Sequence, residues 1–234
     1  MSTVKLHKLT WEILQNFSTI NSSILIREGN VIKTISVSKN AVAQYESEDQ
    51  FPQTFGIYDL TQFLSGYSLH CDISKGNTAD LEFSNDSYVT IRGNGRSAKY
   101  FFSDPNITLQ SVPETNIKFP GADFSFSVST ADLVALQKAS SVYGLPDLAF
   151  RSFDDGTVNL ELCDKENDTS HVYSQTVQGE STGTYEFFMR VENLRLYQPN
   201  ASPNDMYHVK VSKHLITEWQ HDTLKLKYYI ALEP

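Results

Sequence analysis

The sequence predicts an α+β protein made of two tandem halves, each an antiparallel sheet carrying two helices. Three observations lead there. A helical window opens each half. Runs of β-branched residues, punctuated by Gly, Asn and Asp, follow each window. Near the middle lies a stretch with Pro105, Pro113 and Pro120 and no hydrophobic period, which reads as a linker. The 234 residues suit one large β domain or two of about 115 residues each. We therefore expect an N-terminal domain over 1–104, a connector over 105–122 and a C-terminal domain over 123–234.

In the first half, Leu6, Leu9, Ile13 and Phe17 recur at spacings of three and four. They predict a helix from Val4 to Phe17, with Lys5, Lys8, Glu12 and Gln15 on its other side. Ser23 to Arg27 and Val31 to Val37 read as a hairpin around Glu28-Gly29-Asn30. Ala41 to Tyr45 and Gln53 to Tyr58 are further strands. Asp59 is a candidate N-cap for a short helix ending at Leu69, whose apolar face is Leu60, Phe63, Leu64 and Tyr67. Strands at 79–83, 88–92 and 98–103 are separated by Asn85-Asp86 and Gly93-Asn94-Gly95 turns.

The second half repeats that order with little residue identity. A helical window spans Thr130 to Val142, with Thr130 as a possible cap and Leu133 and Leu136 as core contacts. A hairpin surrounds Asp154-Asp155-Gly156. Strands follow at 172–177 and 185–190, then a short helix from Val191 to Gln198 that stops before Pro199. Strands at 207–212, 215–220 and 224–232 complete the pattern. One-sided helices on a many-stranded sheet leave open sheet edges, and an open edge invites another copy of the chain. Head-to-tail contacts that close would make a ring.

Composition excludes several classes. No apolar run is long enough to span a membrane as a helix. The first eight residues lack the apolar core of a secretory signal, so we expect a cytoplasmic protein. Cys71 and Cys163 belong to no CxxC pair, and the six Asn-x-Ser/Thr sequons then read as by-products of composition. The six histidines have no metal-ligand spacing, and no metal or cofactor is expected. Gly93 to Lys99 contains GxG but is not a P-loop, because the lysine is misplaced. No GxSxG occurs. An enzyme is therefore not expected, although a hydrolase with an unrecognised site is a formal rival.

The formal net charge is −9. Residues 1–118 carry ten basic and twelve acidic side chains; residues 119–234 carry nine and sixteen. Lys and Arg occur without acid in 1–11, 87–103 and 206–217, stretches that taken singly also read as solvated faces.

Several segments resemble those of T4-type phage DNA sliding clamps. Asn16-Phe17-Ser18-Thr19-Ile20-Asn21 follows the first helical window as it does there. Ile57 to Leu64 (IYDLTQFL) sits where those clamps turn from a strand into their second helix. Leu196-Tyr197-Gln198-Pro199-Asn200 is similar to the exit of the fourth helix, and Tyr228 to Glu233 to the closing strand. The resemblance implies two clamp-type domains per chain and a homotrimeric ring, with helices lining a hole that encloses double-stranded DNA. It also implies an ATP-dependent clamp loader and a replicative polymerase held by its C-terminal tail, in the cytoplasm of an infected bacterium.

On that reading Lys5, Lys8 and Lys138 face the hole, with Arg190 and Arg195 as further candidates. The second helix carries no basic residue, a departure from a fully basic lining. A partner peptide would enter an apolar recess formed by Ile107, Leu109, Val112, Ile117 and Phe119 of the connector with Tyr229, Ala231 and Leu232. The subunit contact would pair Lys99, Tyr100 and Phe101 with an edge near Val172 and Tyr173. The rival reading is a β-rich phage structural or carbohydrate-binding protein, which the twelve tyrosines and fourteen phenylalanines would also suit. A trimeric mass distinguishes the two.

Overall fold

The computed structural model describes residues 2–105, 112, 113, 115, 117–167, 169–181, 183–199, 202 and 204–233. The chain forms two compact units, Met1–Glu114 and Thr115–Pro234, divided within the expected connector.

The first unit runs β1 (Ser2–Lys5), α1 (Lys8–Ile20), β2 (Ile24–Ile26), β3 (Gly29–Ile35), β4 (Ala41–Phe51), β5 (Phe55–Ile57), α2 (Leu60–Ser68), β6 (Asp80–Phe83), β7 (Tyr88–Gly93) and β8 (Arg96–Phe101). Helix α1 buries Ile13, Leu14, Phe17 and Ile20; of the expected stripe, Leu9 is half-buried and Leu6 lies before the helix. It packs against α2 and β4. Helix α2 starts where Asp59 accepts a hydrogen bond from the Gln62 amide at 2.8 Å, and it buries Leu60, Phe63, Leu64 and Tyr67. The Tyr67 hydroxyl donates to the Ala79 carbonyl at 2.9 Å and accepts from the Ala79 amide at 3.1 Å. A buried phenol is thus fully satisfied. Strands β1, β6, β7 and β8 form one antiparallel sheet in the order β1-β6-β7-β8. Asn94 (φ 49°) and Gly95 (φ 70°) close the β7–β8 hairpin, as a two-residue turn with positive φ at both positions should.

Two expectations fail in this unit. The first helix does not begin at Val4. Residues 2–5 are a strand paired with β6, Lys5 opposite Asp80, and the helix starts after His7. The strand occupies the free edge of β6, a larger gain than one more helical turn. The expected hairpin of the second and third strands is also absent. β2 pairs with β5 and β3 with β4, and Gly29 at φ 108° turns the chain from one ribbon into the other.

The second unit runs β9 (Phe124–Ser129), α3 (Thr130–Tyr143), β10 (Asp147–Ser152), β11 (Thr157–Cys163), β12 (Tyr173–Ser181), β13 (Tyr185–Arg190), a 3-10 turn (Val191–Asn193), β14 (Met206–Ser212), β15 (Ile216–His221) and β16 (Leu226–Ala231). Here the strands join in one continuous order, β13-β10-β11-β12-β9-β14-β15-β16. Ser129, rather than Thr130, caps α3 through a capping box with Asp132, and Gly144 (φ 68°) ends it. Phe126, Phe150 and Trp219 meet in the core, and the indole N–H donates to Thr217 Oγ1 at 2.8 Å.

The expected fourth helix, Val191 to Gln198, is a single 3-10 turn. Leu194, Leu196 and Tyr197 are buried with Arg195 exposed between them, a pattern that suits extended chain better than one helical face. Side chains from elsewhere satisfy this backbone. Gln137 donates to the Leu194 carbonyl at 2.6 Å. Tyr207 donates to the Tyr197 carbonyl at 2.8 Å, and the Tyr197 amide donates to the Tyr228 hydroxyl at 3.0 Å.

Candidate nucleic-acid and partner surfaces

The solvent faces of the helices carry little charge. On α1, Lys8 is exposed and lies 3.7 Å from Glu12, one turn on. Exposed α2 positions are Thr61, Gln62, Ser65 and Ser68, with no cation. On α3, Lys138 is exposed and has no ion-pair partner among the described residues. Exposed pairs such as Lys8–Glu12 contribute at most about 0.5 kcal/mol, so Lys8 remains free to exchange partners.

The other expected DNA-facing cations are placed differently. Lys5 is on β1, not on a helix, and lies 3.6 Å from Asp80. Arg190 ends β13, with its guanidinium 3.0 Å from the buried Asp147. A buried carboxylate left without this partner would be costly, so Arg190 serves structure first. Arg195 follows the 3-10 turn and donates from Nε to the Glu192 carbonyl at 2.9 Å. The loss of the fourth helix removes the element meant to aim both arginines.

The residues expected at a subunit contact lie on open edges. β8 is the last strand of its sheet. Lys99 is exposed on it, with its ammonium 4.4 Å from the centre of the Tyr88 ring. Phe101 is 67% exposed, while Tyr100 packs edge-on against Phe63 of α2 at 5.1 Å. In β12, Tyr173 to Gln178 pair with β11, and only Gly179 to Ser181 pair with β9. The opposite side of the strand's first part is therefore open. Val172 is 59% exposed just before it, and the ring of Tyr143 at the end of α3 lies tilted against His171 at 5.9 Å.

The expected docking recess is placed in pieces. Val112 is buried, and its carbonyl accepts from Arg27 Nη2 at 2.8 Å. Ile117 and Phe119 are half-buried and Ala231 is exposed. Tyr229 and Leu232 are buried. Burial, and then the neighbouring Glu218 carboxylate, push the Tyr229 phenol up to about 12. Ile107 and Leu109 lie outside the described residues. A groove of about 410 Å³ crosses β12, β9 and β14 past Ser127, Gly179 and His208. Another, of about 600 Å³, runs beside α3 past Gln137, Ser141 and Val191. Neither is lined by the expected recess residues.

Sequence reasoning missed a polar corner. Asp49, 2% exposed at its side chain, accepts from the His7 backbone amide at 3.1 Å and contacts His7 Nδ1 at 2.6 Å. Thr10 and Ser47 share a hydrogen bond at 2.8 Å beside it. The Asp49 hydrogen bond and charge raise the His7 imidazole above its usual value. The sequence offered no signal for this corner, since the expected strand stops at Tyr45 and β4 runs on to Phe51. Among the described residues, no group of three or more His, Cys, Asp or Glu could hold a metal.

Solved structures share this architecture across the whole chain. The PCNA of Thermococcus kodakaraensis superposes with a TM-score of 0.73 over 99% of both chains at 14% identity. A. fulgidus PCNA, solved with the C-terminal region of FEN-1 bound, matches with 0.70 over 100% of this chain and 99% of that one at 12% identity. The fold is thus that of the PCNA-like clamps.

Sequence comparison narrows this. A family model described as DNA polymerase processivity factor matches residues 5–100. The sliding clamp of Vibrio phage KVP40 is 30% identical over 98% of this chain and 99% of its own length. That of Escherichia phage RB69 is 28% identical over 84% and 85%. The chain belongs to the phage sliding clamps, non-catalytic proteins that act as DNA polymerase processivity factors. DNA and a polymerase are its partners as a member of that family, and the rival structural or sugar-binding reading falls.

Proposed function

We propose that three copies of this clamp close head to tail around duplex DNA, with domains 1–104 and 123–234 and the connector 105–122 in each copy. The open β8 edge of one copy pairs with the open first part of β12 in the next. Lys99, Tyr100 and Phe101 then face Val172 and Tyr173. The single observation that carries this is the presence of two unlike open edges in one chain, which heterologous contact can satisfy all round a ring. Phe101 and Val172, exposed beside those edges, would be covered on closure.

Enclosure lets retention coexist with movement. The lining needs only scattered cations, whose phosphate contacts are weak singly and salt-dependent. Lys138 and Lys8, exposed on helices, would supply them, with Lys5, Arg190 and Arg195 as further candidates. An ATP-dependent loader would open the ring. The polymerase's C-terminal tail would dock in the recess of Ile107, Leu109, Val112, Ile117, Phe119, Tyr229 and Leu232. The test is retention on closed circular DNA, with a cognate loader and ATP, before and after linearisation. Loss on linearisation supports enclosure, and equal retention on both forms rejects it. Lys138→Glu should reduce loading while leaving the trimer intact; a dissolved trimer would place Lys138 in an interface.

A further inference from the structure

The chain leaves β8 from one ribbon of the first unit and is tied back to the same ribbon. In that ribbon β2 and β5 pair, with Leu25 opposite Gly56 and Ile26 opposite Phe55. At the leaving end, the Ser103 amide donates to the Gly56 carbonyl at 3.0 Å, and the Phe102 ring lies 5.0 Å from that of Phe55. At the other end stands Arg27, the residue after β2. It donates from Nη2 to the Val112 carbonyl at 2.8 Å, and Val112 is buried. The backbone next to Arg27 is itself held, because the Glu28 amide donates to Thr54 Oγ1 at 3.1 Å. The second unit uses the equivalent arginine differently. Gly56 and Phe188 each carry an isolated bridge, to Ser103 and Glu233, and they pair with Leu25 and Ala149. Two residues on from these stand Arg27 and Arg151. Arg151 directs its guanidinium to Glu186 at 2.6 Å and to Glu161, both within its own sheet. In the first unit the same position serves a backbone carbonyl of the connector.

We infer that Arg27 is a positioning residue for the partner recess: it fixes the connector at Val112 and so sets the affinity for a tail that it does not touch. The inference rests on the recess proposed above, of which Val112 is a member. A charged donor makes one of the stronger hydrogen bonds to a carbonyl, and a buried acceptor that loses its donor is costly to leave unpaired. Without the guanidinium, Val112 would leave its place. It would then have to be ordered again when the tail binds, and that cost is taken from the affinity.

The test is the affinity of the full chain for a synthetic peptide of the cognate polymerase's C-terminal tail. Arg27→Met keeps the aliphatic stem and removes the guanidinium. Affinity should fall about tenfold, as the ordering of one or two side chains implies. Arg27→Lys, which retains a charged donor, should recover most of the loss. Arg92→Ala removes a cation of the same unit, one that pairs with Glu82, and should bind as the parent does. The salt dependence of binding should be alike in Arg27→Met and the parent, because this charge does not meet the tail. Parental affinity in Arg27→Met, with binding abolished by Ala231→Glu at the exposed residue of the recess, would overturn this inference alone. Parental affinity in both would overturn the recess and this inference with it. Equal losses in Arg27→Met and Arg92→Ala, or a shallower salt dependence in Arg27→Met, would make charge the cause and overturn it too. If Arg27→Met fails to fold, Arg27→Gln stands in: its shorter, neutral donor should weaken binding severalfold, and parental affinity would overturn the inference.

Discussion

The two units share one order of strands after a first helix yet close the same corner by different chemistry. In each, the strand before the first helix must meet the fourth strand of the unit. In the second unit they pair directly, Gly179 of β12 opposite Phe126 of β9, and the sheet runs on unbroken. In the first unit the ladder between β3 and β4 is irregular between Gly29 and Val31, and the corner is filled by side chains. Asp49 of β4 ties down His7, and Ser47 bonds Thr10. One corner is made of backbone and needs a glycine. The other is made of polar side chains and needs a buried carboxylate. A repeated architecture therefore constrains where a junction lies, not which residues make it.

The largest test of that contrast is Gly179→Ala. A Cβ there would stand 2.5 Å from the Ser125 carbonyl oxygen and 2.8 Å from Val158 Cγ2, so backbone must move. We expect a loss of about 3 kcal/mol or more, read as a lower thermal midpoint with exchange rising first in β9 and β12. Next comes Asp49→Ala, which strands the His7 amide and removes the carboxylate that Ser47 Oγ approaches at 3.5 Å. About 2 kcal/mol should be lost, in line with an unpaired buried polar group, with exchange rising in α1 rather than in β12. If both variants loosen both units alike, the corners are not independent.

A third test concerns the segment that replaces the fourth helix. Gln137→Leu keeps the bulk but removes the donor to the Leu194 carbonyl. The cost should be about 1 kcal/mol, with increased exchange or proteolysis confined to residues 191–198. A Gln137→Leu protein as stable as the parent would mean that this segment is held by Leu194 and Leu196 packing alone.

The same segment shows what the sequence could and could not disclose. Helix α2 was legible because its cap, Asp59, and its apolar face lie within ten residues. The β7–β8 turn was legible from Asn94-Gly95 for the same reason. The 191–198 segment was not, because the groups that satisfy its backbone come from Gln137, Tyr207 and Tyr228, far away in sequence. Strand β1 was missed because four residues are too few to show alternation, and its partner β6 lies in the other part of the unit. For the candidate surfaces, residue types were readable and directions were not. Lys5 and Lys8 look alike in the sequence, yet one stands on a strand and the other at the start of a helix.

The smallest expected effect is the one that separates the units by sign. His7 gains its partner Asp49, so its folded pKa lies above the usual 6.5. Its stabilisation is complete below about pH 6.5 and is lost as pH rises through the raised value. His221 is the reverse. Its side chain is fully buried, and its Nδ1 accepts from the amides of Thr223 and Leu224, both at 3.3 Å. The neutral ring with hydrogen on Nε2 is therefore the form that fits. Burial lowers its pKa, against the opposing pull of Asp222 and Asp205. Its contribution is complete above about pH 6.5 and is lost as pH falls through the lowered value. Hydrogen exchange as a function of pH, corrected for intrinsic rates, should show α1 and β4 loosening towards alkaline pH and the β15–β16 turn loosening towards acid. His7→Gln should abolish the first trend and leave the second. A common direction in both places would mean that neither imidazole governs its corner and that net charge, not local pairing, sets the response.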